Sequence, residues 1–584
     1  MDISKRDAKV SVRTPGTRHN TFAKVVTVSG AMTNDIIALR DDLLTEQVTL
    51  VVMEAGLSGA YVFSTRALRP RVDAPGTANV FSQGQQIHYG DIRQPRMRRT
   101  RQMTEQDEPI LSLRSWIEGV DAAGELTRVD GAHWDQELGA IAELSYRSAH
   151  PKALLFDNIA QYRPGLRVLT GSTGSARRLG RTLRLGGELD DAEVVARLRG
   201  KPSQWAAGAA DMPAVTVQDA PLLQNVVEGD DINLLDFPVP MWHEDDGGRF
   251  IGTGCFVVTT DPETGQVNGG CYRMQVQDDG RSVTISAVPG KHGAQNIAKW
   301  FELHGRAPVT VSFGHDPVLL VTGGTEVPAG ISELDYAGAI IGERVPVVCG
   351  ADTGLPIPAG SEFAIEGWLT PENVRDEGPF GEWTGYYSSS QRPIHAMDIT
   401  RLYHRDDPII LGAPPGKPPH DYSYMRTIMK SAMIEDDLIA AGVRGVQKVW
   451  AHESGGGRLL IAVAISAKYA GHARQVAHLT AQLPTAAYMN RYVVVVDDDI
   501  DVASLDEVVW AMCTRSDPAQ DIDILRRTWG SKLDPLLPDG ATPHNSRAVI
   551  DACIPYERRS TFPKVSQSEP AYLEKIARDW SHVL

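Results

Sequence analysis

The chain has 584 residues, 42% hydrophobic and 23% charged, with a formal net charge of −16. That length holds two or three domains with buried cores, and so acidic a balance excludes a nucleic-acid role for the chain as a whole. Five scattered cysteines without paired spacing exclude a disulfide scaffold and suit a reducing cytoplasm, while a polar N-terminus and the lack of a long apolar run exclude a secretory signal and a membrane span.

Residues 1–102 stand apart as a leader, with fifteen Lys/Arg against nine Asp/Glu, a net of +6 that leaves −22 for residues 103–584. Hydrophobic periodicity predicts a strand at 25–29, a helix at 33–45 and a strand at 48–54. Residues 55–102 are rich in Gly, Pro, Gln and Arg and end in the basic run Arg96 to Arg101; they read as loop or disorder. The stretch MDISKRDAKVSVRTPG, followed by VSGAMTNDIIALRDDLLTEQVTLVVMEA, resembles the start of insertion-sequence transposases with a RuvC-like DEDD nuclease domain. Asp2 and Glu54 match its first two acidic positions. The resemblance stops near Glu54, and two carboxylates of four cannot make a metal-dependent nuclease site.

From 109 to 225 helices and strands alternate. Ser112–Gly119, Trp134–Ser148 and 187–199 read as helices, and Lys152–Phe156 and Leu166–Leu169 as strands. The loop Gly171-Ser172-Thr173-Gly174 could cradle phosphate, but it lacks a Walker lysine and reads first as a turn. From about 226 to 410 the chain is strand-rich. Strands are predicted at Gly254–Thr260, Tyr272–Gln277, Ser282–Ala287, Val309–Gly314, Val318–Val321, Val345–Cys349, Glu362–Leu369 and Ile394–Tyr403, with one helix at Ala294–Leu303. The Pro-rich stretch from Gly412 to Pro419 reads as a stiff linker. Beyond it come a helix at 423–441, strands at Val446–Trp450, Leu459–Ser466 and Val493–Val496, helices at Gly471–Gln482 and Leu505–Thr514, and a terminal helix at Glu569–Trp580.

Residues that could carry chemistry gather in the strand-rich part. Arg273 is a fixed cation able to hold a carboxylate by a two-point fork. Asn268, His292 and Glu333 offer an amide oxygen, an imidazole nitrogen and a carboxylate, a mixed set that suits a borderline metal such as manganese. Glu377 and Glu382 lie five residues apart with Gly and Pro between them, a rigid turn suited to a proton donor and its positioning partner. Each has a plainer reading: Asn-Gly is a hairpin signal, and an Arg with two Glu can be a surface ion-pair network.

The combination NGGCYRMQV, KHGAQN, SELDYAG and DEGPFGEWTGYY, continued by GKPPHDY, KYAGHA, VVVVDDDID and TRSDPAQD, resembles the UbiD family of decarboxylases over residues 103–584. The resemblance implies a multidomain α+β and α/β chain: an N-terminal α/β domain over 103–225, a split β-barrel that binds prenylated FMN over 226–411, a linker over 412–422, a C-terminal α/β oligomerisation domain over 423–560 and a terminal helical segment over 561–584. It implies manganese held by Asn268, His292 and Glu333 against the flavin phosphate. Cofactor contacts are expected from Cys271, Tyr272, Arg273, Ser286, Ala287, Val288, Lys291 and His292, and from Arg491 where the family has a lysine. A potassium site can accompany the metal, but Gly323-Gly324-Thr325 replaces the family's small hydroxyl residues there.

By the same resemblance Arg273, Glu377 and Glu382 form the catalytic network, with Glu382 as proton donor and the modified flavin as electron sink. The reaction implied is reversible, non-oxidative decarboxylation of an aromatic, heteroaromatic or α,β-unsaturated acid, with CO2 as co-product. The alternatives are a polyprenyl-hydroxybenzoate decarboxylase of quinone synthesis and a catalytically silent flavin-binding subunit. His420, Tyr422, Tyr424 and Arg426 are expected to face the substrate ring. A cytoplasmic homo-oligomer supplied by a flavin prenyltransferase, with no nucleic-acid partner, completes the expectation. The leader is expected to be a gene rearrangement or a misplaced start. A chain beginning at Met103 should therefore fold and load flavin as the full chain does; insolubility or loss of cofactor would make residues 1–102 part of the fold.

Overall fold

The computed structural model describes residues 8–13, 24–28, 50–55 and 59–64, and then 111–583 except 289, 389 and 539. The chain divides into two units, Met1–Pro95 and Arg96–Leu584. In the first, β1 (Ala8–Arg13), β2 (Lys24–Val28), β3 (Leu50–Ala55) and β4 (Gly59–Ser64) form an antiparallel sheet in the order β2-β1-β3-β4. The strands predicted at 25–29 and 48–54 correspond to β2 and β3. The strand at 59–64 falls where loop or disorder was expected: Tyr61, Val62 and Phe63 are strong strand formers within an otherwise polar stretch. The helix expected at 33–45 lies outside the described residues.

The second unit begins with helix Leu113–Ala122, β5 (Leu126–Asp130), helix Glu137–Tyr146, β6 (Ala153–Asp157) and β7 (Arg167–Thr170), followed by helices Ala176–Thr182, Asp191–Leu198 and Lys201–Gly208. Helix Asp191–Leu198 starts with a capping box, Asp190 accepting from the Glu193 N–H and Glu193 from that of Asp190, which satisfies two N-terminal donors.

Two short strands follow, β8 (Val215–Thr216) and β9 (Asn225–Glu228). The central part then holds β10 (Phe256–Thr260), β11 (Val267–Gly270), β12 (Ser282–Thr284), helix His292–His304, β13 (Ala307–Ser312), helices Pro317–Gly324 and Glu333–Ile341, β14 (Pro346–Cys349), β15 (Pro356–Pro358), β16 (Phe363–Glu377), β17 (Arg392–His404) and β18 (Ile409–Leu411). Seven strands make one sheet, in the order β11-β10-β13-β16-β17-β12 with β9 also on β17. Among the described residues no ladder joins β11 to β12, so this sheet is open rather than a closed barrel. Strands β15-β14-β8 form a small second sheet.

Two predicted strands are corrected. Val318–Val321 is helical, because Asp316 accepts from the Val318 N–H and Pro317 sits in the first turn, a strong helix start before a run that is apolar on every side. Tyr272–Gln277 makes only isolated bridges, Gln275 to Phe250 and Val276 to Val283.

Strand β18 leaves the central part to pair with β7, completing the sheet β18-β7-β6-β5. The Pro-rich stretch after it is packed: the Gly412 N–H donates to the Leu169 carbonyl (2.7 Å) and that of buried Ala413 to Thr253 Oγ1 (3.0 Å). It leads into helix Asp421–Ala440, then β19 (Val446–Ala451), β20 (Leu460–Ile465), helices His472–Thr480 and Pro484–Ala487, β21 (Tyr492–Asp497), helix Leu505–Arg515, β22 (Ile522–Trp529) and β23 (His544–Ala552). The sheet order is β19-β20-β21-β23-β22. Helix Pro570–Asp579 follows. Among the described residues no helix is long and apolar enough to cross a membrane.

One buried carboxylate ties the N-terminal part to the long helix. Asp421 accepts from the N–H groups of Gly171 (3.0 Å) and Thr173 (2.8 Å), from Thr173 Oγ1 (3.1 Å) and from the Tyr146 hydroxyl (2.7 Å). The Gly-Ser-Thr loop is thus a turn whose anion comes from the protein itself. Replacing Asp421 by Ala strands several buried donors, each worth ~1–3 kcal/mol when unsatisfied. Denaturant unfolding of Asp421→Ala should show a loss of about 3 kcal/mol or more; a loss under about 1 kcal/mol would mean that water replaces the carboxylate.

Candidate active site

A cavity of about 530 Å³ opens beside the end of β11. Beyond that strand Arg273 enters it, and each nitrogen of its guanidinium makes one hydrogen bond. Nε and Nη2 donate to the two oxygens of Glu377 at 2.6 and 2.8 Å, and Nη1 donates to Glu382 Oε1 at 2.7 Å. Glu377 is the last residue of β16 and is wholly buried. The turn between the two acids is fixed from several sides. Gly378 takes φ +88°, and its N–H donates to Gln275 Oε1 (2.8 Å). The Gly247 N–H donates to the Pro379 carbonyl (2.7 Å), and a Cβ on Gly247 would stand 1.9 Å from the Gly378 oxygen. Phe380 stacks on Phe250 at 3.9 Å between ring centroids.

The two acids are unequal. Glu377 gives both oxygens to the arginine fork, a geometry that favours a carboxylate permanently committed to it. Glu382 is held through one oxygen and borders the cavity. Burial raises its carboxyl above the ordinary range, outweighing the opposite pull of Arg273. It is placed to carry a proton on its other oxygen.

Asn268 on β11, His292 at the start of its helix and Glu333 at the start of another line the same cavity. Asn268 Nδ2 donates to Glu333 Oε1 (3.0 Å), and the Gly269 N–H to Oε2 (2.6 Å). Burial nevertheless pushes Glu333 up to about 7. Asn268 Oδ1 is buried without a hydrogen-bond partner. Among the described residues no three His, Cys, Asp or Glu side chains converge as a metal-binding group; the set here includes an amide. An orphaned amide oxygen beside a buried carboxylate, with an imidazole on the same cavity, fits a divalent cation.

The cavity is electropositive on one side. Lys291, exposed, and Arg426 and Arg458 line it together with Glu326, which accepts from Arg458 Nη2 (3.1 Å) and Lys430 Nζ (2.6 Å). Burial disfavours charge on Glu326, but Arg458 and Lys430 outweigh it and hold the carboxyl well below its usual range. Lys291 and Arg458 on that side suit a phosphate dianion. Arg491 is not part of it. Its guanidinium pairs with Asp534 and lines a separate hollow with Tyr492, Ile524 and Arg547. Among the cavity's cations Arg458 lies two residues before β20, the parallel neighbour of β21 that Arg491 precedes.

Of the residues expected at the cofactor, Cys271, Tyr272, Arg273, Lys291 and His292 line the cavity, whereas Ser286, Ala287 and Val288 are not among its lining residues. The Ser286 N–H donates to the Arg273 carbonyl (3.1 Å), and its hydroxyl accepts from Arg392 (3.1 Å). Of the four residues expected at the substrate, Tyr422 and Arg426 reach the cavity; one helical turn apart, they share a face. Tyr424 points elsewhere, its hydroxyl donating to Asp191 (2.6 Å). His420 caps the helix and lines a second hollow of about 270 Å³, which shares Gly381 and Pro415 with the first. Sequence reasoning missed Arg458, Glu326 and Trp383. The run Gly455-Gly456-Gly457 ahead of Arg458, read as a close backbone approach before a strand, is the signal that could have found the first.

Comparison with known proteins identifies relatives along most of the chain. Family models of 3-octaprenyl-4-hydroxybenzoate carboxy-lyase match in order: its N-terminal domain at 117–198, its Rift-related domain at 214–418 and its C-terminal domain at 423–552. An uncharacterized protein of Archaeoglobus fulgidus is 32% identical over 495 residues, 81% of this chain and 98% of its own. The pyrrole-2-carboxylic acid decarboxylase of Pseudomonas aeruginosa is 30% identical, over 76% of this chain and 91% of its own. The structure of the UbiD-class enzyme HmfF from Pelotomaculum thermopropionicum in complex with FMN superposes with a TM-score of 0.70 at 25% identity, covering 81% of this chain and all of that one. With three domains matched in order and relatives covered nearly end to end, the chain belongs to the UbiD family of carboxy-lyases.

Proposed function

We propose that this carboxy-lyase carries out the reversible, non-oxidative decarboxylation of an aromatic, heteroaromatic or α,β-unsaturated carboxylic acid with prenylated FMN. The observation that carries the reading is the triad at the cavity wall, in which the guanidinium of Arg273 joins a buried, doubly held Glu377 behind it to a singly held, raised Glu382 that borders the cavity. The activity of the pyrrole-2-carboxylate relative and the FMN complex of HmfF support it. We read the open seven-stranded sheet as the split barrel that carries the flavin. Asn268, His292 and Glu333 would hold a manganese ion against the flavin phosphate, with Lys291 and Arg458 as further counter-charge. The cationic wall favours a compact acid over a polyprenyl one.

Bound prenylated FMN supplies an electron sink for the carbon that loses CO2. The protein does the rest. Arg273 orients the substrate carboxylate without moving, since Glu377 fixes two of its nitrogens. Glu382 then hands its proton to the carbon left behind, and in the reverse direction takes it back. Desolvation keeps that proton on the carboxyl above the pH at which an exposed glutamate gives it up. A cytoplasmic homo-oligomer, served by a flavin prenyltransferase, completes the proposal.

Two sets of variants test it. His292→Ala and Glu333→Ala should each lower both manganese and flavin in the purified protein, because an ion-anchored phosphate depends on every ligand. Normal flavin loading in either would remove that residue from the site. Glu382→Gln should keep flavin and metal yet lose turnover by at least ~10²–10⁴-fold. Arg273→Ala should also be inactive, and Glu377→Gln should fall between, with effects that do not add because the three act as a unit. Exchange of the substrate's hydrogen with deuterated solvent reads the donor directly. Exchange at the wild-type rate in Glu382→Gln would assign the proton to another residue.

A further inference from the structure

The cations of the cavity are not equally occupied. Arg273 is engaged by two glutamates, and Arg458 by Glu326. Lys291 is exposed. Arg426 differs: its Nε and Nη1 are buried and neither has a hydrogen-bond partner. It is also well located. Its guanidinium carbon stands 5.5 Å from the ring centre of Trp383, the residue after the proton donor, and 5.2 Å from that of Tyr422. The Tyr422 hydroxyl is in turn fixed by the Thr253 carbonyl (3.0 Å). Stacking on two rings immobilises the guanidinium while leaving its edge unused. Burial, and then Arg458, lowers Arg426 to about 10, so it remains charged at neutral pH.

A buried guanidinium with idle donors is costly unless a ligand satisfies them. Arg426 lies over Trp383, the residue after Glu382, and its charge acts on Glu382, so it stands within electrostatic reach of the proton donor. We infer that Arg426 is a specificity-determining residue that recognises a second anionic substituent on the substrate ring, so that the preferred acids are aryl dicarboxylates or acids with a comparably placed oxyanion. This rests on the decarboxylase reading only for the place of the reacting carboxylate, at Arg273. Two guanidiniums then divide the work. One is neutralised by glutamates and orients the leaving carboxylate, and the other keeps its charge for the group that stays on the product.

Calorimetric binding to the flavin-loaded enzyme tests this, with benzoate and the 1,2-, 1,3- and 1,4-benzenedicarboxylates as probes. At least one dicarboxylate should bind about tenfold or more tightly than benzoate, as expected for one charge-assisted fork. In Arg426→Gln that ratio should fall towards one, and Arg426→Lys should restore part of it. Absence of any preference in the unmodified holoenzyme, a measurement that needs no variant, overturns the inference. So does an Arg426→Gln protein that keeps the ratio, or one that loses flavin, which would make Arg426 a cofactor residue. Failure of the decarboxylase reading registers elsewhere, in CO2 release and hydrogen exchange, and leaves the binding ratio standing.

Discussion

The site depends on one ion triad. A guanidinium mostly removed from water is tolerable only if its charge is answered in place, and Glu377 answers it with two parallel hydrogen bonds from the end of a long strand. That pairing leaves one nitrogen over, and Glu382 takes it. Two bonds tie both oxygens of Glu377 to the guanidinium, whereas one bond leaves the second oxygen of Glu382 uncommitted to it. Everything nearby holds this geometry: the open sheet places Glu377, and the Gly247–Pro379 contact and the stacked Phe250 and Phe380 fix the turn that follows.

Much of this was legible in the sequence, for physical reasons that also mark the limits. Two carboxylates across a Gly-Pro turn, an arginine after Asn-Gly-Gly and a mixed Asn/His/Glu set are chemically specific, and the structure brings all but the buried Glu377 to the wall of one cavity, with Glu377 behind Arg273. Regular elements were legible where a pattern was unmistakable, as in β16, β17 and the helix from Asp421. Val318–Val321 was misread because a fully buried apolar run has no period to betray it; the cap that decides it, Asp316-Pro317, lies just upstream.

Arg491 shows a different limit. It and Arg458 both precede parallel neighbouring strands and both carry a guanidinium, so position along the chain gives no way to tell which one turns towards the cavity. Only the third dimension separates them, through the presence of Asp534 beside one and Glu326 beside the other. The four residues expected at the substrate divide in space by the same logic. Tyr422 and Arg426 share a helical face, Tyr424 lies off it, and His420 is spent on capping.

The Asp421 contact has a wider meaning. Among the described residues none before Gly252 lines the cavity, yet the loop of Gly171 and Thr173 grips the first residue of the helix that bears Tyr422 and Arg426. The N-terminal part therefore works as a jig that sets the angle at which the face of Tyr422 and Arg426 is presented to the cavity. Selectivity in such a molecule is inherited as a pair of distant segments. Grafting the helix from one relative into another without its matching loop would transplant the right side chains at the wrong tilt.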